Sequence, residues 1–215
     1  MKTLAQTFEA DGYLIIGEAV TEPDIVELEK HLASVSLDGV GTRNVLNADW
    51  CRQLSARVKL VPAIQEILPP DPVAIQCTYF QKTESENWLV ALHRDLSIPI
   101  KARIDSPDWK AWSEKEGVLF ARPPERVLKS MVAVRLHLEE NNENNSPLQV
   151  VPGSHVAAGN PANRINCIIP RGGVLAMRPL LLHASSKLKE GKRRVLHFVF
   201  GPRMLPNDAE WAYAV

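Results

Sequence analysis

The chain has 215 residues, 45% hydrophobic and 23% charged, with 25 basic side chains against 25 acidic ones. This length supports one substantial core, and zero net charge excludes a global field that would recruit nucleic acid or an anionic membrane. No run approaches the roughly 18 apolar residues of a membrane span, and acidic residues within the first dozen positions leave no room for a secretory leader, so the expected location is cytoplasmic.

Taken in chain order, Phe8 to Ile16 ends in the apolar run Tyr13-Leu14-Ile15-Ile16, which predicts a short strand. Thr21-Glu22-Pro23-Asp24 reads as a helix start, with Thr21 as N-cap, proline in the first turn and acids that suit the helix dipole. Ile25, Leu28, Leu32 and Val35 then follow at helical spacing to about residue 35. Leu54, Val58, Val61, Ile64 and Ile67 keep a similar stripe and predict a second helix over 51–68, stopped by Pro69-Pro70. From Pro72 the character turns to β. Val73 to Phe80, Leu89 to Leu92, Met131 to Leu138, Leu148 to Val151, Cys167 to Ile169, Val174 to Met177 and Arg194 to Phe200 are short runs of strand formers bounded by turn residues. Residues 104–126, with Trp109, Trp112 and Arg122-Pro123-Pro124, read as a long irregular connection, and the wider 96–126 segment as a candidate lid. The expected architecture is one domain over 1–215, mainly β with flanking helices, in which 1–70 is a helical scaffold and 72–203 a sandwich or barrel core. Cys51, Cys77 and Cys167 are odd in number and show no C-x-x-C spacing, so they are expected to be reduced structural thiols.

His93-Arg94-Asp95 stands where Leu89 to Leu92 ends, and His183 followed by Arg193-Arg194 lies far downstream. In an extended segment, alternate side chains share a side, so His93 and Asp95 can face one metal. A second imidazole joins them if the fold lays its strand alongside, giving two histidines and one carboxylate with open coordination positions, the donor set of mononuclear iron sites. The letters HRD also occur in protein kinase catalytic loops, but the glycine-rich loop, strand lysine and D-F-G of a kinase do not occur here in the required order. His155 in Pro-Gly-Ser-His reads as a turn residue, His137 and His197 as core or neighbouring groups in strands, and His31 as uninvolved. Trp88, Trp109 and Trp112 are packing residues by default, two of them in the segment that would border a substrate.

Read in order, these pieces resemble the phytanoyl-CoA dioxygenase family of iron(II)- and 2-oxoglutarate-dependent oxygenases, and its small bacterial members most closely. The resemblance rests on Asp11-Gly12-Tyr13, Tyr79 to Thr83, Asn87-Trp88, His93-Arg94-Asp95, Arg135 to Leu138, Pro147 to His155, Gly172 to Val174, Arg178 to Ser186 and Arg193 to His197, and so runs over almost the whole chain. It implies a double-stranded β-helix, a jelly-roll or cupin-like core with iron at its open end. It makes His93, Asp95 and His183 the iron ligands, and gives the 2-oxoglutarate C5 carboxylate to an arginine ten or eleven positions after His183. Arg193 is preferred and Arg194 is the alternative, because alternation lets only one of them face the pocket. A fork-shaped guanidinium matches a carboxylate bidentately, which suits arginine to that task. Ser185 is similar to the family's hydroxyl donor to the same carboxylate, with Lys82 and Gln76 as further candidates on a neighbouring strand.

The implied activity consumes O2 and 2-oxoglutarate, releases succinate and CO2, and hydroxylates a small organic substrate. Halogenating relatives lose the carboxylate that Asp95 retains, which favours hydroxylation. Arg94, where close relatives often carry glutamine, and Asn145-Ser146-Pro147 are mild departures that touch no ligand. Rival readings are a cupin-like metal dioxygenase or isomerase that does not use 2-oxoglutarate, and a non-catalytic binding member of the fold. The sequence indicates neither the substrate nor the oligomeric state, although Arg103 and Arg122 offer local cations to an anionic substrate.

Overall fold

The computed structural model describes residues 2–37 and 40–215. The chain opens with a helix the sequence reading missed, α1 (Leu4–Asp11), which is closed at its start by a capping box between Thr3 and Gln6 and stopped at Gly12, whose φ of 79° favours glycine and where a Cβ would collide with the His155 ring. β1 (Tyr13–Ile16) is the expected strand, and α2 (Glu22–Leu32) the expected helix. Thr21 stands at its N-cap, but its hydroxyl donates to the Asp24 carboxylate at 2.7 Å and caps no backbone N–H. A two-residue strand, β2 (Gly41–Thr42), precedes α3 (Asp49–Lys59) and α4 (Pro62–Gln65). The single helix expected over 51–68 is therefore two. Pro62 disfavours helical backbone at Val61, which sits at ψ 120°, and Pro62 itself opens α4.

β3 (Pro72–Lys82) and β4 (Val90–His93) follow as expected, and then β5 (Ile98–Ile100). The irregular connection expected over 104–126 is a correction: β6 (Lys110–Lys115) and β7 (Val118–Arg122) form a hairpin, with β5 on the far side of β7. Lys115 pairs with Val118 across Glu116 and Gly117, both at positive φ, as a tight two-residue hairpin turn requires. β6 (KAWSEK) is an exposed edge strand with charged residues, so it carries no apolar alternation to read. α5 (Glu125–Ser130), β8 (Val132–His137), β9 (Leu148–Val150), β10 (Ile165–Cys167), β11 (Val174–Met177), β12 (His183–Ser185) and β13 (Arg193–Pro202) complete the chain. β10 lies two residues earlier than its expected position over Cys167 to Ile169, because Ile165 to Cys167 is the stretch that pairs with β9, while Ile169 bridges Asn141.

The strands form a six-stranded sheet in the order β1-β11-β8-β13-β3-β2, a four-stranded sheet β10-β9-β12-β4, and the three-stranded sheet β5-β7-β6. The segment before residue 70 is not purely helical, since it gives β1 and β2 to the large sheet, and the tail beyond 203 returns to the core through Trp211 opposite Ile100. Alternation divides the central strands. Val134, Leu136, Leu196 and Phe198 face outward onto Phe8, Ile25, Leu28, Leu54 and Val58 of the helices. Ala133 faces the other way, with Leu148, Val150 and Leu181 of the opposed sheet region. Two facing antiparallel sheets with helices on one outer face are the jelly-roll-like arrangement expected. Among the described residues no helix is long and apolar enough to cross a membrane.

Candidate metal centre and its cleft

β4 and β12 are neighbours, and their register sets His93 directly opposite His183. Their ring centroids lie 4.2 Å apart. Each Nδ1 lies against a backbone carbonyl two residues earlier, that of Ala91 at 2.8 Å for His93 and that of Leu181 at 2.9 Å for His183. A carbonyl only accepts, so both rings carry their proton on Nδ1 and turn a bare Nε2 lone pair to the cleft. Asp95 lies just past β4, held by its own N–H donating to the Pro179 carbonyl at 2.9 Å. Its carboxylate oxygens stand 3.5 Å from His93 Nε2 and 3.6 Å from His183 Nε2. Cis positions around an octahedral ion at roughly 2.1 Å are about 3 Å apart, so these donors fit a divalent metal with little movement. Among the described residues this is the one cluster of three such donors within 4.8 Å of each other. A bulge between β4 and β12 sits at this point, an irregularity common beside active sites.

Electrostatics agree with the donor set. Burial opposes charge on Asp95, but the imidazoles of His93, His183 and His197 around it hold its carboxyl well below the usual range. His93 is raised, chiefly by the Asp95 carboxylate beside it, whereas burial lowers His183 despite the Asp95 charge. Arg94, at the border of the cleft between its two neighbours, spends its guanidinium on the backbone, donating to the carbonyls of Leu180 at 2.7 Å and Ser154 at 2.8 Å. The sequence reading assigned Arg94 no role, and alternation alone turns its side chain from those of His93 and Asp95.

Beside the metal donors, Arg193 lines the cleft and Lys82 lies buried behind Ser185. Lys82 is 0% exposed and donates to Ser185 Oγ at 3.1 Å, Ser146 Oγ at 3.1 Å and the Ser186 carbonyl at 2.7 Å. Burial, helped by the charges of Arg193 and Arg135, pushes its pKa down to about 7. Arg193 pairs with Lys82 across β13 and β3, is buried, and donates to the Ser146 carbonyl, while its Nε has no partner. Among the described residues neither cation has a carboxylate within ion-pair distance, although burying an uncompensated charge costs several kcal/mol. Arg194 faces the opposite side of β13, where it binds Glu139 and Glu29 and takes no part in the cleft. Gln76 also lines the cleft, but opposite Val199, six strand residues from Lys82, where it donates to Thr78 Oγ1 at 2.8 Å. The structure therefore brings Lys82, Ser185 and Arg193 together and leaves Gln76 and Arg194 apart from them.

The remaining candidates separate in the same way. Trp88 lines the cleft, with Lys82 Nζ 5.0 Å above its ring, whereas Trp109 and Trp112 stack on each other in the core beside the hairpin. His155 fixes the turn after β9, its Nε2 against the Glu9 carbonyl at 3.0 Å. His197 points into the cleft 4.0 Å from Asp95, and burial beside Arg135 lowers it to about 3, so the ring is neutral. Arg103 borders a separate surface groove, while Lys115 and Phe120 of the hairpin line the main cleft.

Comparison with known proteins agrees with this geometry. No protein of curated function matches the chain in sequence. Among solved structures, it is similar to HygX from Streptomyces hygroscopicus with nickel and 2-oxoglutarate bound, at 16% identity and TM-score 0.66 over 93% of this chain and 86% of that one. The non-heme monooxygenase ThoJ in its nickel complex is similar at 16% identity and TM-score 0.71, over 99% and 82% of the two chains. AviO1 from Streptomyces viridochromogenes Tue57 is similar at 18% identity and TM-score 0.64, over 96% and 99%. At such identities the likeness establishes a shared fold. The family model of phytanoyl-CoA dioxygenase (PhyH) matches residues 8–195, and the chain belongs to that family.

Proposed function

We propose that the chain is an iron(II)- and 2-oxoglutarate-dependent oxygenase that hydroxylates a small organic substrate in the cytoplasm, releasing succinate and CO2. The observation that carries this reading is the pairing of a two-histidine, one-carboxylate cluster with a buried cationic recess in the same cleft. His93, Asp95 and His183 would hold the iron, which when bound supplies oxygen activation. Arg193 would receive the C5 carboxylate of 2-oxoglutarate, with the Ser185 hydroxyl as a second donor and Lys82 as a third. The desolvation of these cations is then compensated by the ligand, which supports a dianionic co-substrate over a metal site that works without one. The family match, and the HygX structures with metal and 2-oxoglutarate, support the same assignment. A cupin-like isomerase independent of 2-oxoglutarate leaves Arg193 without a task.

Anaerobic titration of iron(II) and 2-oxoglutarate into metal-free protein tests the reading through the visible charge-transfer band of an iron-chelated keto acid. Wild type should develop the band, and His183→Ala should not. Arg193→Ala should need about tenfold more 2-oxoglutarate or beyond, the loss of a charge-assisted bidentate contact. Iron binding without a band in wild type would exclude 2-oxoglutarate.

A further inference from the structure

The cleft holds more positive charge than the proposed cofactors use. Its charged lining comprises Arg43, Arg94, Lys115, Arg135 and Arg193 against Asp95 as the one acid. Arg94 is spent on carbonyls, and Arg43 is answered by Glu116 at 2.9 Å. Arg135 is not answered. It projects inward from the middle of β8, its residue only 7% exposed, with Nη1 donating to His197 Nδ1 at 3.2 Å and Nε without a partner. Its guanidinium carbon lies 5.7 Å from the Phe80 ring, and His137, the next inward residue of β8, is buried and neutral. Among the described residues no carboxylate lies within ion-pair distance of Arg135.

We propose that Arg135 receives the carboxylate of the prime substrate, a small monocarboxylic acid with a hydrocarbon body. This rests on the oxygenase reading, in which both carboxylates of 2-oxoglutarate are already answered, one by the metal and the other by Arg193, Ser185 and Lys82. A further buried guanidinium then calls for a further anion, and its planar fork suits a carboxylate. The surroundings of Arg135 describe the rest of the molecule. Away from Arg193, the inward positions continue as Ala133 on β8 and Val199 on β13, and Ile75, Ile98, Leu128 and Met131 extend an apolar wall beside them. The bulge where Val199 and Phe200 pair with Gln76 and Ala74 skips Ile75, which lets both Ile75 and Gln76 line the cleft. The cleft measures about 370 Å³, near the small end of the roughly 300–1,000 Å³ usual for ligand sites, and must also hold the co-substrate. That space suits a short acid.

The test is calorimetric titration of hexanoate and of uncharged hexanamide into protein loaded with nickel(II), a redox-silent substitute, and 2-oxoglutarate. Wild type should bind the acid at least about tenfold more tightly than the amide, the difference a charged hydrogen-bonded pair makes. Arg135→Gln should abolish that preference and leave the 2-oxoglutarate half-saturation within about twofold of wild type, whereas Arg135→Lys should keep part of the preference. Cooperative thermal unfolding of both variants establishes that they fold. Equal binding of acid and amide by wild type, or no acid binding, overturns the proposal. So does an Arg135→Gln variant that loses 2-oxoglutarate affinity, which would give the residue to the co-substrate. A variant that loses nickel affinity but still prefers the acid would reduce Arg135 to positioning His197 against Asp95. If the protein takes up neither nickel nor 2-oxoglutarate, the oxygenase reading fails, and the same acid and amide comparison on metal-free protein still decides the role of Arg135.

Discussion

A lysine with no exposed surface and a pKa near neutrality would make a co-substrate recess built around it sensitive to pH. Lys82 is part neutral at pH 7, and a carboxylate placed beside it favours the charged form, so binding should take up a proton. Affinity for 2-oxoglutarate should accordingly fall as pH rises above about 7, by at most about tenfold per unit, and calorimetry in buffers of different ionisation enthalpy would register the uptake. Lys82→Met should bind more weakly and lose this dependence; a wild type whose affinity is flat from neutral to alkaline pH would remove Lys82 from the recess. At this scale the sequence was legible where chemistry requires a fixed spacing. His93 and Asp95 are two residues apart, and the Arg193-Arg194 doublet follows the second histidine at a bounded distance. Arg135 was not legible as a site residue, because an arginine within a strand gives no sign of whether its charge is answered, and that depends on what the neighbouring strands carry. Gln76 looked similar to Lys82 for being on the same strand, but six residues of strand at about 3.3 Å each put it at the other end of the cleft.

Each element was readable where one face is apolar and the other polar. β8, β11 and β13 are buried on both faces and still stood out as continuous runs of strand formers. The hairpin of β6 and β7 did not, since its outer strand is charged and its turn is the pair Glu116-Gly117 without the usual asparagine or aspartate. α1 was missed because its one buried side chain is Phe8, too little to show a period, although the Thr3 to Gln6 spacing of its cap was present in the sequence. The start of β13 is held by ions: Arg194 binds Glu139 and Glu29, and Glu29 also binds Arg171, which reaches Glu22 on α2. Arg194→Ala should therefore cost about 1–3 kcal/mol in denaturant unfolding, since it leaves two partly buried carboxylates short of a partner. Its 2-oxoglutarate half-saturation should stay within about twofold of wild type. A large rise in that requirement with unchanged stability would reverse the roles of the two arginines.

Across the whole molecule, burial of Arg135 and Arg193 in the cleft, with Lys82 behind Ser185, is a standing cost that bound anions would relieve. Nickel(II) with 2-oxoglutarate at about a hundred times its dissociation constant should add about 2.7 kcal/mol to stability, equivalent to roughly 5–10 °C in Tm, and a chelator should reverse it. A melting temperature that ignores both ligands would mean the cations are balanced by some other means. β13 is the strand that joins this cleft to everything else, since it pairs with β3 along its whole length on one side and with β8 from Val195 to Phe200 on the other. A shift of one residue along either partner would turn His197 and Val199 toward the helices and bring Leu196 and Phe198 inward. At the start of the strand, however, the inward face would look unchanged in a slide that puts Arg194 in the place of Arg193. The doublet thus hides such a threading error on the cleft side, and the clasp of Glu29 and Glu139 on Arg194 is what lets the chain tell its two arginines apart.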